Sequence, residues 1–177
     1  NLLFWLSLYE AGGNHSYRLM TEKTLEQMAR GGIFDHIGFG FSRYSTDEKW
    51  LVPHFEKTLY DNALLVIAYL DAYARTREPL YAYIIRKTLD YTARELTAPE
   101  GGFYCGQDAD SDGEEGKYYL FTPMEISNIL GEDRGRMFCE WFGITKQGNF
   151  TRQNIQCELQ GNQPDDGTLL RRIAILS

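Results

Sequence analysis

The stretch from Trp50 to Leu65, WLVPHFEKTLYDNALL, places ionisable side chains among large apolar residues. If a helix begins at Pro53, His54, Lys57 and Asp61 fall at i, i+3 and i+7 and therefore share one face. An imidazole, an ammonium and a carboxylate are the groups that general acid–base catalysis uses. The spacing predicts a chemically capable face on an otherwise apolar helix, with His54 and Asp61 as candidate catalytic residues and Lys57 as a candidate substrate ligand.

Glu56, Tyr60 and Asn62 lie beside that face and are further candidate substrate-binding residues. The alternative is a solvated helix start, in which Glu56 complements the positive end of the helix dipole and Lys57 pairs with Asp61. The apolar residues around them leave little room for a water-facing side. Both interpretations stay open at this point.

A second group of candidates lies upstream, in DHIGFGFSRYS. His36 is the other imidazole that could act as a catalytic acid or base, although a single histidine is more often a hydrogen-bonded structural residue. Asp35 and Arg43 are candidate substrate ligands, because the planar guanidinium of Arg43 fits a carboxylate or phosphate. The alternative for Arg43 is a cross-strand ion pair with Asp47 or Glu48.

The acidic segment DADSDG begins like a calcium-binding loop, with acids at positions one, three and five and glycine at position six. Position twelve, however, is Tyr119 instead of the glutamate that completes such a loop, and this argues against an EF-hand. Asp108 is a candidate catalytic carboxylate and Asp110 a candidate substrate ligand. A turn that merely contains acids, or an unrelated cation site, are the alternatives, and we expect neither a metal nor another cofactor.

Composition narrows the class of protein. The chain has 177 residues, of which 43% are hydrophobic, and a net charge of −7. The sequence has no long run of basic residues, so we do not expect it to bind nucleic acid. Its apolar runs are all shorter than the roughly 20 residues that cross a bilayer, so we do not expect a membrane-spanning segment. The three cysteines have no CxxC spacing, which favours a reducing compartment, and we expect a cytoplasmic protein.

Helical periodicity and punctuation residues predict six helices connected by polar loops. Their expected positions are Leu2 to Gly12, Tyr17 to Arg30, Pro53 to Arg77, Pro79 to Leu96, PMEISNILG from Pro123, and DRGRMFCEWFG. A short β-hairpin is expected between FGFSRYS and KWLV.

One internal similarity organises these elements. The segment from Thr24 to Asp35, TLEQMARGGIFD, is echoed from Thr88 to Tyr104, TLDYTARELTAPEGGFY. A repeated helix pair with polar loops on one rim is typical of a helical solenoid or closed toroid, with a generic helical bundle as the alternative. We expect an all-α fold, a partial (α/α)6 toroid of helical hairpins with short β-hairpins on one rim.

Three strings, GGIFDHIGFGFSRYSTDEKWLVPHFEKTLYDNALL, EGGFYCGQDADSDGEEGKYYLFT and GNFTRQNI, resemble the thioredoxin-domain-containing protein family of the spermatogenesis-associated protein 20 type. The resemblance implies an (α/α)6 toroid similar to N-acylglucosamine 2-epimerase and the six-hairpin glycosidases. It also implies that residues 1–177 are a fragment of that toroid, with a thioredoxin-like domain and later hairpins outside it. Phe39 and Thr58 depart from the family pattern, as do Thr151 and Arg152.

The resemblance implies a role in carbohydrate metabolism more firmly than it implies a reaction. By analogy with the epimerases, His54 and His36 would move protons next to a carbonyl, with Lys57 or Arg43 stabilising the enolate oxygen. A glycoside hydrolase would instead use two carboxylates. These would come from Asp35, Asp61, Asp108 and Asp110.

A non-catalytic module that binds a ligand or protein for the thioredoxin-like domain is the alternative from another class. In either case a partial ring should leave apolar flanks exposed, so we expect the fragment to self-associate.

Overall fold

The computed structural model describes residues 1–150 and 154–155 of the chain. Its helices are α1 (Leu2–Gly12), α2 (His15–Arg30), α3 (Leu59–Thr76), α4 (Pro79–Glu95), α5 (Pro123–Leu130) and α6 (Glu132–Phe142). Four two-residue strands and a 3-10 helix at Lys117–Tyr119 accompany them: β1 (Lys57–Thr58), β2 (Gly106–Gln107), β3 (Asp110–Ser111) and β4 (Glu114–Glu115). The described part is mostly helical, with two short antiparallel strand pairs, β1 with β2 and β3 with β4.

Most helix ends lie where capping residues, prolines and glycines in the sequence predict them. Asn14 caps α2 by accepting a hydrogen bond from the Ser16 amide. Pro79 occupies the first turn of α4, where a missing N–H costs no hydrogen bond. Thr122 and Glu125 form a reciprocal capping box at the start of α5. The predictions for these helices are confirmed to within a few residues.

The predicted start of the third helix is wrong, because α3 begins at Leu59 and not at Pro53. Phe55 has a positive φ of 61°, which a helix does not accommodate. Lys57 and Thr58 instead pair antiparallel with the loop that follows α4. The shared helix face predicted for His54, Lys57 and Asp61 therefore does not exist.

The hairpin predicted between FGFSRYS and KWLV is reduced to one isolated β-bridge, Ser45 to Pro53, and neither segment forms a strand. The Asp47 side chain organises its turn by accepting backbone hydrogen bonds that include those of Leu51 and Val52. Burial opposes ionisation of Asp47, but these bonds hold its pKa below the usual value. This turn fixes the entry into the segment that contains Lys57.

Consecutive helices pack in pairs, α1 on α2, α3 on α4 and α5 on α6, and α1 also contacts α3. The largest core cluster joins α2, α3 and α4 through residues such as Leu25, Tyr69 and Ile84. Both copies of the internal repeat lie at the end of a second helix and in the loop after it. Each loop is closed by an isolated bridge, Phe34 to Phe41 and Thr97 to Phe103.

No helix within the described ranges is both long and apolar enough to cross a membrane. The C-terminal segment LLRRIAIL, together with Cys157, Thr151 and Arg152, lies outside the described residues.

Candidate functional site

A polar cavity of about 210 Å³ lies where the loop after α2, strand β1, the end of α4 and the loop after α4 meet. We call it the Lys57 cavity. Its lining residues are Asp35, Gly38, Lys57, Tyr91, Arg94, Glu95, Gln107, Asp108, Ser111, Tyr118 and Tyr119. Three of the predicted site residues therefore meet in one place, although they lie far apart in the sequence.

Lys57 is the most unusual of these residues, because its side chain is only 2% exposed. Its Nζ donates to Asp35 Oδ2 and to the Phe39 carbonyl oxygen, each at 2.7 Å. The same atom lies 4.8 Å from the ring centres of Tyr91 and Tyr119. Burial lowers the pKa of Lys57 and outweighs the opposing effect of Asp35.

The Asp35 carboxylate is held in place by the chain that follows it. Its Oδ1 accepts the backbone N–H groups of Ile37 and Gly38, at 2.9 and 2.8 Å. A Cβ atom at position 38 would lie 2.8 Å from Asp35 Oδ2, so only glycine fits this turn without a shift of the carboxylate. The loop thus presents one carboxylate oxygen to Lys57 and uses the other to fix its own backbone.

Two tyrosines and a glutamine form the opposite wall. The Tyr91 hydroxyl donates to Gln107 Oε1 at 2.8 Å, and Gln107 is the β-ladder partner of Lys57. Burial raises the pKa of both Tyr91 and Tyr119, so these phenols stay protonated at neutral pH. A neutral phenol can both donate and accept a hydrogen bond, which suits a hydroxylated ligand.

Arg94 and Asp108 lie at the rim of the cavity, and within the described residues only Arg94 forms an ion pair there. Arg94 Nε lies 2.6 Å from Glu95 Oε1, and its Nη2 donates to the Gly38 carbonyl oxygen at 2.6 Å. Asp108 is exposed and accepts a 3.3 Å hydrogen bond from the Asp110 amide. Within the described ranges, Asp108 has no cationic partner, so its carboxylate is available to a ligand.

Arg43, Glu56, Tyr60 and Asp61 form a separate surface cluster outside the Lys57 cavity. Arg43 Nη1 lies 3.1 Å from Glu56 Oε2, and its Nε lies 3.7 Å from Asp61 Oδ2. The guanidinium also stands 5.8 Å from the Tyr60 ring centre. Arg43 therefore pairs with these two acids and not with Asp47 or Glu48, the partners considered from the sequence.

The two candidate histidines, His36 and His54, occupy different surroundings, and neither lines the Lys57 cavity. His36 is buried, with Nε2 3.2 Å from the Gly31 carbonyl oxygen and its ring against Phe142. His54 stacks on Tyr44 at 4.7 Å between ring centres.

The two remaining candidates from the sequence also lie outside the lining of the Lys57 cavity. Asn62 is completely buried and hydrogen-bonds backbone groups of Phe41 and Thr58. Asp110 lies in β3 and is exposed.

Sequence reasoning missed Tyr91, Arg94 and Gln107. Tyr91 is one of several aromatic residues on an amphipathic helix, and nothing in its spacing separates it from core positions. Only the pairing of β1 with β2, which brings Gln107 beside Lys57, could have indicated this wall.

A groove of about 340 Å³ lies elsewhere, mainly along α2 and at the turn between α3 and α4. Arg18 Nε is 2.6 Å from Glu22 Oε1, and Arg30 Nε is 3.1 Å from Glu26 Oε1. None of the site residues predicted from the sequence lines this groove, whereas three of them line the Lys57 cavity, so the smaller Lys57 cavity is the better candidate site. Among residues 1–150 and 154–155, no three His, Cys, Asp or Glu side chains are grouped so that they could hold a metal ion.

Comparison of the sequence with curated proteins finds named relatives. The chain is similar to spermatogenesis-associated protein 20. The Homo sapiens protein is 40% identical over 174 residues, which is 89% of this chain and 22% of that protein. The Mus musculus protein is 38% identical over 179 residues, covering 91% of this chain and 23% of that protein.

An uncharacterized protein of Caenorhabditis elegans is 34% identical over 172 residues, covering 86% of the chain and 24% of that protein. The chain thus spans 22 to 24% of the length of these relatives. No protein-family model matches the chain. The relatives' names state no reaction, so the chemistry has to be argued from the cavity.

Proposed function

We propose that the chain is part of an (α/α)6 toroid in which the Lys57 cavity binds a sugar or a sugar derivative. The observation that supports this most is the convergence of Asp35, Lys57 and Asp108 with a wall of tyrosines in a cavity of about 210 Å³. Ligand sites are typically concave, with aromatic walls and a few converging polar groups. A sugar presents apolar C–H faces to aromatic rings and hydroxyl groups to carboxylates, amides and phenols.

If the bound sugar reacts, the chemistry is proton transfer of the epimerase or isomerase kind. Of the cavity carboxylates, Asp35 pairs with Lys57 and Glu95 with Arg94, whereas Asp108 is exposed and is suited to act as a base. Lys57 is suited to stabilise a developing oxyanion. His36 and His54 lie outside the lining, which favours this carboxylate–lysine arrangement over the histidine pair. A glycoside hydrolase would need a second carboxylate on the cavity, for which Asp35 is the candidate.

The second candidate function is a non-catalytic module that binds a ligand for an attached thioredoxin-like domain. The observation that favours it is that several charged groups of the cavity already form ion pairs with one another. Lys57 pairs with Asp35, and Arg94 pairs with Glu95. Groups that already satisfy one another can recognise a ligand at their outer edge without taking part in a reaction.

The test of ligand binding is a thermal-shift screen of the chain with neutral sugars, amino sugars and sugar phosphates. A ligand that binds only the folded chain at a hundredfold excess over its Kd should add about 2.7 kcal/mol of stability, and a sugar should do so here. Asp108→Asn should raise the Kd of that sugar at least about tenfold, since it removes a charged hydrogen-bond acceptor, and the stabilisation at a given sugar concentration should decrease accordingly. Glu56→Gln, in the separate surface cluster, is the matched control and should leave the shift unchanged. Equal loss in both variants, or no shift with any sugar, would contradict the proposal.

Self-association is also part of the proposal, and an apolar stripe on α3 supports it. Tyr60, Leu64, Ile67 and Leu70 follow one another at spacings of three and four residues, and each is about half exposed. The opposite side of α3, which includes Tyr69, is buried. A helix that is apolar on two sides is suited to lie between two layers, as in a ring of helical hairpins.

The stripe predicts that Ile67→Glu shifts the chain toward the monomer in analytical ultracentrifugation. A buried carboxylate at the contact would weaken association by several kcal/mol, because it would lose its water without gaining a partner. Ile129→Glu makes the same change at an exposed position of α5, where Ile129 is 72% exposed, and should leave the oligomeric state unchanged. A wild-type chain that is monomeric at all concentrations would be evidence against the α3 stripe as a contact.

A cytoplasmic location belongs to the same proposal. Within residues 1–150 and 154–155, Cys105 and Cys139 form no disulfide, and unpaired thiols persist in a reducing compartment.

A further inference from the structure

Lys57 has the surroundings of an amine that reacts with carbonyl compounds. Its side chain is 2% exposed, yet it forms part of the wall of the Lys57 cavity instead of being sealed in the core. Burial favours the neutral amine, which is the nucleophilic form, and lysines that form Schiff bases are activated in this way. The five other lysines of the chain are Lys23, Lys49, Lys87, Lys117 and Lys146, and none of these lines the cavity.

A proton acceptor stands within one hydrogen bond of this amine. Asp35 Oδ2 is 2.7 Å from Lys57 Nζ, and Asp35 Oδ1 is fixed by two backbone N–H groups. The carboxylate therefore cannot swing away, and a proton that leaves Nζ has a defined destination. The ring of Tyr91 on one side and that of Tyr119 on another limit the directions from which a carbonyl carbon can approach.

We propose that Lys57 captures the carbonyl group of an open-chain aldose or ketose as an imine. This inference rests on the proposed function, because the sugar reaches Nζ through the same cavity. It deepens that function by naming the substrate class, a sugar that opens to a free aldehyde or ketone. In this reaction Lys57 is the covalent partner of the sugar instead of the group that stabilises an oxyanion.

The step balances with the groups present. The Lys57 ammonium transfers one proton to Asp35, and the neutral amine attacks the carbonyl carbon, forming the C–N bond as the C=O π electrons move to oxygen. That oxygen takes a proton from nitrogen to become the hydroxyl of a carbinolamine. Asp35 then returns its proton to the hydroxyl, water leaves, and the nitrogen lone pair forms the C=N bond of a protonated imine. Ammonium plus carbonyl thus gives iminium plus water, with the same net charge on both sides.

The iminium would also account for the position of Asp108. A protonated imine withdraws electrons from the neighbouring carbon and makes its C–H group more acidic, as a reaction next to a carbonyl requires. Asp108 lines the same cavity and is exposed, so it is the positioned base that such a step needs.

The test is reductive trapping on the 177-residue chain. The chain is incubated with glyceraldehyde or ribose and sodium cyanoborohydride, which reduces an imine to a stable secondary amine, and peptide mass mapping locates the adduct. Lys57 should hold most of the adduct, ahead of Lys117, whose side chain is 45% exposed. Lys57→Arg should lose that adduct while labelling at Lys117 stays the same. The wild-type peptide map gives the answer even if the variant fails to fold.

Two ligands without a carbonyl separate this inference from the proposed function. Methyl glucoside and sorbitol cannot form an imine but can still occupy the cavity. If they stabilise the chain and no adduct forms at Lys57, imine capture is wrong and the sugar site stands. If adducts form only at exposed lysines and no sugar or polyol stabilises the chain, both are wrong.

Discussion

Asp35→Ala should lower the free energy of unfolding by about 3–5 kcal/mol in urea denaturation. The change leaves the ammonium of Lys57, 2% exposed, without the carboxylate that compensates its charge. It also frees the backbone N–H groups of Ile37 and Gly38, which the carboxylate accepts. An isolated charge in such surroundings is far more costly than the lost pair is favourable, so the loss should be large.

The matched control is Glu56→Ala, which removes an acid whose ion-pair partner, Arg43, is 44% exposed. Surface pairs contribute about 0–1 kcal/mol, so this variant should stay close to the wild type. Adding Lys57→Met to Asp35→Ala should recover part of the loss, because no uncompensated charge remains. A loss below about 1 kcal/mol in Asp35→Ala would show that water reaches Lys57 freely.

The pH dependence of Asp35→Ala has a definite sign. Burial already lowers the pKa of Lys57, and removing Asp35 takes away the largest effect that opposes this. At pH values below the pKa that Lys57 has in the unfolded chain, the folded variant binds fewer protons than the unfolded variant. The free energy of unfolding of the variant therefore rises with pH. The difference from the wild type should therefore narrow as the pH rises toward the unfolded-state pKa of lysine, about 10.4.

Asn62→Ala should lower the free energy of unfolding by about 3–5 kcal/mol, through unsatisfied backbone groups instead of charge. Asn62 is completely buried and accepts the Phe41 N–H at 2.7 Å. It also donates to the carbonyl oxygens of Phe41 and Thr58, at 3.0 and 2.9 Å. Truncation leaves all three groups without this partner in the core between α3 and the loop after α2.

The control for this variant is Asn128→Ala on α5, where the side chain is exposed. A surface change of this kind should stay within about 0.5 kcal/mol of the wild type. Asn62→Asp is a second check, because it keeps the acceptor for the Phe41 amide and loses both donated bonds. If Asn62→Ala and Asn128→Ala lose the same stability, the clamp between α3 and the loop is not a major source of stability.

The position of Asn62 also explains why the sequence misleads about its role. As the last polar residue of WLVPHFEKTLYDNALL, it invites the interpretation of a substrate ligand. In the structure its amide replaces missing backbone partners for an irregular loop, a role that depends on a segment 21 residues away. No local pattern distinguishes these two uses of a buried amide.

Lys57 shows the opposite case, in which the residue was named from the sequence and its neighbours were not. Apolar residues around a lysine indicate burial, and Asp35 and Asp108 were candidates on chemical grounds. The sequence cannot show that Tyr91 and Gln107 face the same space, since the ladder between β1 and β2 joins segments about 50 residues apart.

By itself, the sequence determined the helical class, the ends of most helices and the types of ionisable side chain present at the site. These properties depend on interactions within a few residues, such as caps, prolines and helical periodicity, which a local pattern records. Only the tertiary structure decided that α3 begins at Leu59, that His36 and His54 lie outside the cavity, and that Lys57 is buried between Asp35 and two tyrosines. The physical reason is that strand pairing and burial are long-range: the pairing of Lys57 with Gln107 outweighs the local helical tendency and decides which polar groups meet.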